Sequence, residues 1–157
     1  ERAVDLAVRR LGRRARPAST AATPLPGAGA APEASSAFEA RVAARYGALW
    51  PEVAAHAAAR PELGRPLADG TPVTGAEVVH AVREEMAVTL TDVALRRTGL
   101  AASGWPGDAV VAAAGRLAAR EAGWDATRTA REVDALRRVL AGWREPRRPA
   151  WSSAPRR

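Results

Sequence analysis

The stretch TGAEVVHAVREEMAVTLTDVALRRTGL, from Thr74 to Leu100, carries two helix-opening signals in tandem and constrains the fold more than any other segment. Thr74 is followed three residues later by Glu77, the spacing of a capping box, in which the two side chains satisfy backbone donors left open by the first helical turn. Behind this cap Val78, Val82 and Met86 fall at i, i+4 and i+8, one apolar stripe with Val79 beside it. Thr89 and Asp92 repeat the cap spacing, and a second short helix is expected to carry Val93 and Leu95 before Arg96, Arg97 and Thr98. No segment of useful length alternates with the period of a strand. The expected fold is all-α, an irregular bundle of about five to six short helices with flexible basic ends.

The remaining elements follow from the same signals. Glu1 to Leu11 reads as a helix with Val4, Val8 and Leu11 on one face and Gly12 as its stop. Residues 13–35 are rich in Ala, Pro, Gly, Ser and Thr without a period, the composition of a linker or extended crossover. Ser36 and Glu39 form another capping box, opening a helix that ends near Gly47, and Pro51 begins a helix that stops before Pro61. Pro106 and Asp108 open a helix with Val110, Ala114, Leu117 and Ala118 on one side, closed by Gly123. Asp125 caps the next helix, which is expected to bury Ala130, Val133, Leu136 and Leu140 and to show Arg128–Glu132 and Asp134–Arg138 pairs to water. So short a connection makes these two helices neighbours. The tail from Arg144 to Arg157 has no core pattern and reads as disordered.

At 157 residues the chain suits one domain with a core of its own. It opens on Glu1 and is expected to be a fragment or a processed product. The absence of cysteine excludes disulfides, thiol catalysis and cysteine zinc sites, and fits a reducing compartment. No apolar run approaches the roughly 18 residues of a membrane span, and no signal-peptide pattern opens the chain. Every basic residue except the two histidines is arginine, and Asn, Gln and Ile are absent as well, which points to a GC-rich coding sequence rather than to arginine chemistry. The net charge of +7 raises the question of nucleic acid, and its distribution answers it. Residues 1–16 carry +4, residues 17–36 carry −1 and the tail 144–157 carries +4, while residues 37–143 hold thirteen arginines against thirteen acids. The body is neutral, so nucleic acid is not an expected partner.

The Thr74–Leu100 segment also resembles the signature of the C-terminal helical domain of FAD-dependent glycerol-3-phosphate dehydrogenases, the alpha-glycerophosphate dehydrogenase/oxidase family. In that pattern an apolar helix ends in a glutamate, here Glu85, followed by an aspartate, here Asp92, and by Arg96, Arg97 and Thr98. YGALWPEVAAHAAARPELGRPLADG, from Tyr46 to Gly70, is similar to the family's lead-in, and LAAREAGWDATRTAREVDAL, from Leu117 to Leu136, to its closing pair of helices. ERAVDLAVRRLG and the PASTAATPLPGA that follows are similar to the helix and loop leaving the flavin domain. Two places depart from the pattern: His80 stands where an aromatic is usual, and Gly99 breaks an Arg-Thr-Arg-Leu run.

The resemblance implies residues 1–12 as a helix trailing from a flavin domain outside this chain, 13–35 as a crossover, 36–143 as the C-terminal helical domain and 144–157 as a basic tail. It implies a parent protein that oxidises sn-glycerol 3-phosphate to dihydroxyacetone phosphate through FAD, to quinone or another acceptor. The N-terminal flavin and substrate domain is the expected partner. A homo-oligomer and a peripheral membrane contact through the basic tail are both open to it, and the expected location is cytoplasmic or peripheral at the inner face of a membrane.

Within this chain no catalytic, cofactor-binding or metal-binding residue is expected, and FAD is expected to belong to the parent alone. No G-x-G-x-x-G is present, and Gly27, Gly29, Gly104 and Gly107 sit beside Pro or Ala in loops. His56 and His80 lie on different helices without a second ligand at metal spacing, and Glu84 one turn after His80 suggests a solvent-facing pair. Glu85, Asp92, Arg96, Arg97 and Thr98 are read as a structural motif. Glu85 borders the apolar stripe, so it is expected to be partly buried and held by Arg97, with contact to the flavin domain as the alternative. Of the tryptophans, Trp50, Trp105 and Trp124 mark helix ends, with Trp124 packed in an inter-helix angle. Trp143 and Trp151 lie in or near the basic tail, which reads as solvated. The competing reading, from a different class, is a free-standing helical interaction module whose basic arms bind nucleic acid or acidic lipid.

Overall fold

The structure, a computed structural model, describes residues 2–12 and 19–144. The expectations for residues 13–18 and for the tail from Glu145 on, Trp151 included, lie outside the described residues, as does the side chain of Trp143. Among the described residues there are six α-helices and no strand. The helices are α1 (Arg2–Arg10), α2 (Ala37–Tyr46), α3 (Trp50–Ala59), α4 (Gly75–Arg83), α5 (Asp108–Ala122) and α6 (Ala126–Arg144). Short 3₁₀ turns at Gly47–Leu49 and Pro61–Gly64 and a π-helix at Asp92–Arg97 complete the set. The all-α bundle expected from the sequence is what the chain forms. Two compact units divide it, Glu1–Glu52 and Val53–Arg157.

In the first unit α1 buries none of its residues, and Gly12 beyond it takes a φ of +62°, a conformation that suits glycine. The Ser36 hydroxyl caps α2, accepting the Glu39 N–H at 3.2 Å, but the Glu39 carboxylate turns to Ser35, whose N–H and hydroxyl both donate to it at 2.6 Å. Those Ser35 bonds hold the Glu39 carboxyl below its ordinary range. Val42 is fully buried, and the Trp50 indole N–H donates to the Pro32 carbonyl at 3.0 Å. Gly27 and Gly47 let two backbones touch: the Ala48 N–H donates to Gly27 O, and a Cβ on Gly47 would lie 2.3 Å from that oxygen.

The second unit is built around α4. Every residue from Gly75 to Ala81 is buried, so all but the last two residues of this helix sit inside the second unit. Its core partners are Leu90 and Val93 from the next segment, Val111, Ala114 and Ala118 from α5, and Leu136 and Leu140 from α6. Leu117 and Val133 pack partly buried against them, while Ala130, expected inside, is exposed. Gly123 closes α5 with a φ of +68°, and Asp125 Oδ1 accepts the Arg128 N–H at 2.6 Å to open α6, both as the spacing predicts. Trp124 stands in that turn under the Arg128 guanidinium, 4.9 Å from the ring centroid, and Arg137 lies 5.0 Å over Trp105.

Candidate functional site

The Thr74–Glu77 capping box forms in the fully buried interior. Glu77 Oε2 accepts the Thr74 N–H at 2.7 Å and the Thr74 hydroxyl at 2.9 Å, with both residues at 0 % exposure. The helix it opens ends sooner than the apolar stripe suggests. α4 stops at Arg83; the Glu84 and Glu85 N–H groups both donate to His80 O, and Ala87 N–H reaches back to Ala81 O at 2.9 Å. Met86 turns the chain with a φ of +58°, the left-handed position that a helix C-terminus usually gives to glycine. It is therefore not the third residue of the stripe. Its side chain is 82 % exposed, and Val88 beside it is 63 % exposed.

Glu85 lies half-buried at this turn, and its Oε2 is enclosed without a hydrogen-bond partner. The expected Glu85–Arg97 pair does not form: Arg97 is exposed and makes no ion pair among the described residues. Termination of α4 at Arg83 swings Glu85 out of the helical register in which it would have faced the following helix. An enclosed carboxylate oxygen left without a donor is unfavourable by about 1–3 kcal/mol, so a donor from outside the described chain would be welcome there.

The second half of the motif forms its cap as the spacing predicts. Asp92 Oδ2 accepts the Thr89 hydroxyl at 2.7 Å and the Thr89 N–H at 3.0 Å, and the Thr89 hydroxyl accepts the Asp92 N–H at 3.0 Å. Arg96 pairs with the other carboxylate oxygen. Partial burial pushes the Asp92 carboxyl up, but the bonds from Thr89, Val88 and Arg96 outweigh it and the group sits below its ordinary range. Asp92–Arg97 then winds as a π-helix, with the Thr98 N–H donating to Val93 O at 3.0 Å and the buried Thr98 hydroxyl to the same oxygen at 2.7 Å. Single π turns are frequent at functional positions.

Two side chains of α6, expected from the sequence only as an i,i+4 pair facing water, brace this segment through backbone contacts that had no signal in the sequence. Glu132 Oε2 accepts the Leu90 N–H at 3.0 Å, and Arg128 donates to Val88 O at 3.1 Å. The Arg128–Glu132 pair is present at 3.8 Å but is not simply a solvent pair, while Asp134 and Arg138 are exposed with no ion pair between them.

A second polar cluster joins the end of α3, α4 and α5. Glu121, its side chain 3 % exposed, accepts from Arg60 at 2.8 Å and from Arg83. Burial raises the Glu121 carboxyl, and the two guanidinium groups overcome that and lower it. His56 and His80 meet beside this cluster with ring centroids 5.7 Å apart, and His80 is 3 % exposed rather than facing water with Glu84. Burial first, then His80, Arg83 and Arg60, keep His56 below the ordinary imidazole range, against a smaller pull from Glu84. Among the described residues no group of three His, Asp or Glu is placed to hold a metal ion, and no helix is long and apolar enough to cross a membrane.

Residues 18–129 match the family model of the C-terminal domain of alpha-glycerophosphate oxidase. The chain belongs to this family. It is thus a C-terminal domain of a flavoprotein oxidoreductase, part of a larger enzyme. No curated protein and no solved structure matches it. The glycines of this alpha-glycerophosphate oxidase domain do not form a dinucleotide cradle, which needs a strand, a Gly-rich turn and a helix N-terminus in succession. Gly27 and Gly47 are engaged with each other's backbone, and Gly104 and Gly107 precede α5 without a strand. These glycines do not fit the pyrophosphate of FAD.

Proposed function

We propose that this domain serves a flavoprotein that oxidises sn-glycerol 3-phosphate to dihydroxyacetone phosphate, with FAD held by the N-terminal portion and quinone or another acceptor taking the electrons. Its own part is to dock on the flavin- and substrate-bearing portion through the motif face, with residues 1–12 leading in from that portion and residues 36–143 forming the accessory body. Glu85, Met86, Val88 and Arg97 are the docking residues; Asp92, Arg96 and Thr98 shape the face. No catalytic or cofactor-binding residue is assigned within the chain.

The observation that carries this reading is the enclosed, unpartnered Glu85 Oε2 beside a strained Met86 whose side chain is 82 % exposed. Backbone strain persists where the surroundings enforce it and clusters at active sites, ligand clamps and switch regions. A partner that offers a donor to Glu85 and an apolar pocket to Met86 and Val88 would satisfy the carboxylate and cover both exposed side chains.

The test is a binding isotherm between this chain and the flavin-bearing portion of the parent. Met86→Gly combined with Val88→Ser should weaken binding by at least about tenfold, roughly 1.4 kcal/mol, with Arg138→Ala as the neutral control. Equal affinity for the double variant and the parent sequence would overturn the docking face. Failure of sn-glycerol 3-phosphate to bleach the flavin of the assembled protein would overturn the substrate assignment.

A further inference from the structure

A cleft of about 320 Å³ opens in the second unit between the Pro61–Gly64 turn, the segment after it and one side of α5. Its floor is apolar, formed by Leu63, Leu67 and Leu117, and three arginines line it: Arg65, Arg116 and Arg120. Arg116 and Arg120 are four residues apart on α5 and so rise from the same face. Arg65 is brought to the cleft by local structure, since the bridge between Pro66 and Thr74 and the Leu67 N–H to Val73 O bond, at 3.0 Å, fold this segment back before α4.

Among the described residues the arginines of this unit divide into paired and unpaired ones, the latter including the exposed Arg97, Arg131 and Arg138 as well as those of the cleft. Arg60, Arg83, Arg96, Arg128 and Arg137 each pair with a carboxylate. Arg65, Arg116 and Arg120 make no ion pair among the described residues, and Glu62 is the lone acid in the lining. Converging like charges repel, and at i,i+4 they cost helix stability. Three arginines and a single acid line one concave space, an excess of positive charge that suits an anion with several oxygens. The N-terminus of α4 is not the source of this attraction, because the Thr74 N–H is taken by Glu77 and the Gly75 N–H points to Arg65 O.

We propose that this cleft binds the phosphate group of a phosphate monoester. Planar guanidinium forks match phosphate oxygens in bidentate pairs, and the leucine floor takes the carbon atoms next to the phosphate. The same chemistry is offered by a free phosphate ester and by a phosphatidate headgroup. This site is separate from the Glu85–Thr98 face and does not depend on the docking proposed for it.

The experiment uses the 157-residue chain and follows its amide signals by NMR during titration with inorganic phosphate, with sn-glycerol 3-phosphate, and with phosphatidylcholine vesicles containing or lacking phosphatidate. Saturable shifts confined to residues 62–67 and 113–120 are expected. The Arg116→Ala/Arg120→Ala double variant should lose at least about tenfold in affinity without a lower thermal melt, because both side chains are exposed and their mutual repulsion is removed. Binding should weaken as salt rises. Saturation by the soluble esters without vesicle association identifies a free ester as the ligand; association only with phosphatidate vesicles, lost in the double variant, identifies the headgroup. Absence of saturable shifts with every probe, or equal affinity in the double variant, overturns the proposal. Because no flavin portion is present in these titrations, their failure leaves the docking test untouched.

Discussion

Thr74 and Glu77 combine in the interior what is ordinarily a surface device. Their bonds hold a carboxylate at 0 % exposure, so losing one partner removes a cap and also strands a buried acceptor. Thr74→Ala should cost about 1–2 kcal/mol in urea unfolding, and more than Ser36→Ala, whose cap faces water. Equal midpoints would show that burial adds nothing to this cap. Arg97 gives the opposite expectation. It is exposed and unpaired, so Arg97→Ala should change stability by less than about 0.5 kcal/mol, the same as Arg138→Ala. His56 adds a pH dependence with a definite sign. Its folded pKa is depressed, so the unfolded chain binds the proton first, and stability falls as pH drops below about 6.5. Glu121 and Asp92 are also depressed, but as carboxylates their contribution is present above about 4.5 and is lost as pH falls through their folded values. A His56→Gln variant should flatten the upper part of the stability–pH curve and leave the acid limb unchanged; an unaltered upper part would refute the assignment.

At the scale of elements, the turn that ends α4 is where sequence and structure part. Caps were legible because they are local: Thr74–Glu77, Thr89–Asp92, Ser36–Glu39 and Asp125 each act within a few residues. The Met86 turn was not legible, because Val78, Val82 and Met86 keep a perfect helical spacing and nothing marks a left-handed residue where glycine is absent. Nor was the burial of His80, since a helix enclosed on all sides shows the same i,i+4 pairs as one that faces water. The braces from Glu132 and Arg128, forty residues away from the segment they hold, leave no periodic trace at all. The Met86 turn makes its own prediction. Met86→Gly removes the left-handed penalty and buries nothing less, so it should stabilise the chain by up to about 1 kcal/mol, while Met86→Val should destabilise it. A loss of melting temperature on Met86→Gly would mean that the side chain is held by contacts of its own.

For the molecule as a whole, the family supplies the larger enzyme and the chain supplies one body of it. Purified by itself the chain should be colourless and should not oxidise sn-glycerol 3-phosphate; a flavin band copurifying in equal amount would refute that. If it has affinity for DNA, deleting residues 1–16 and 144–157 should abolish it, because residues 37–143 carry no net charge. Salt-sensitive affinity retained by the shortened protein would restore the reading as a free-standing interaction module. The single methionine of the chain has a further use, because it stands on an exposed turn with its side chain in water. Dilute peroxide should convert it to the sulfoxide without unfolding the bundle, adding one oxygen atom per chain. The product would carry a polar group at the centre of the proposed contact, so oxidation and its enzymatic reversal should detach and restore the partner, while an already assembled protein should resist the reagent.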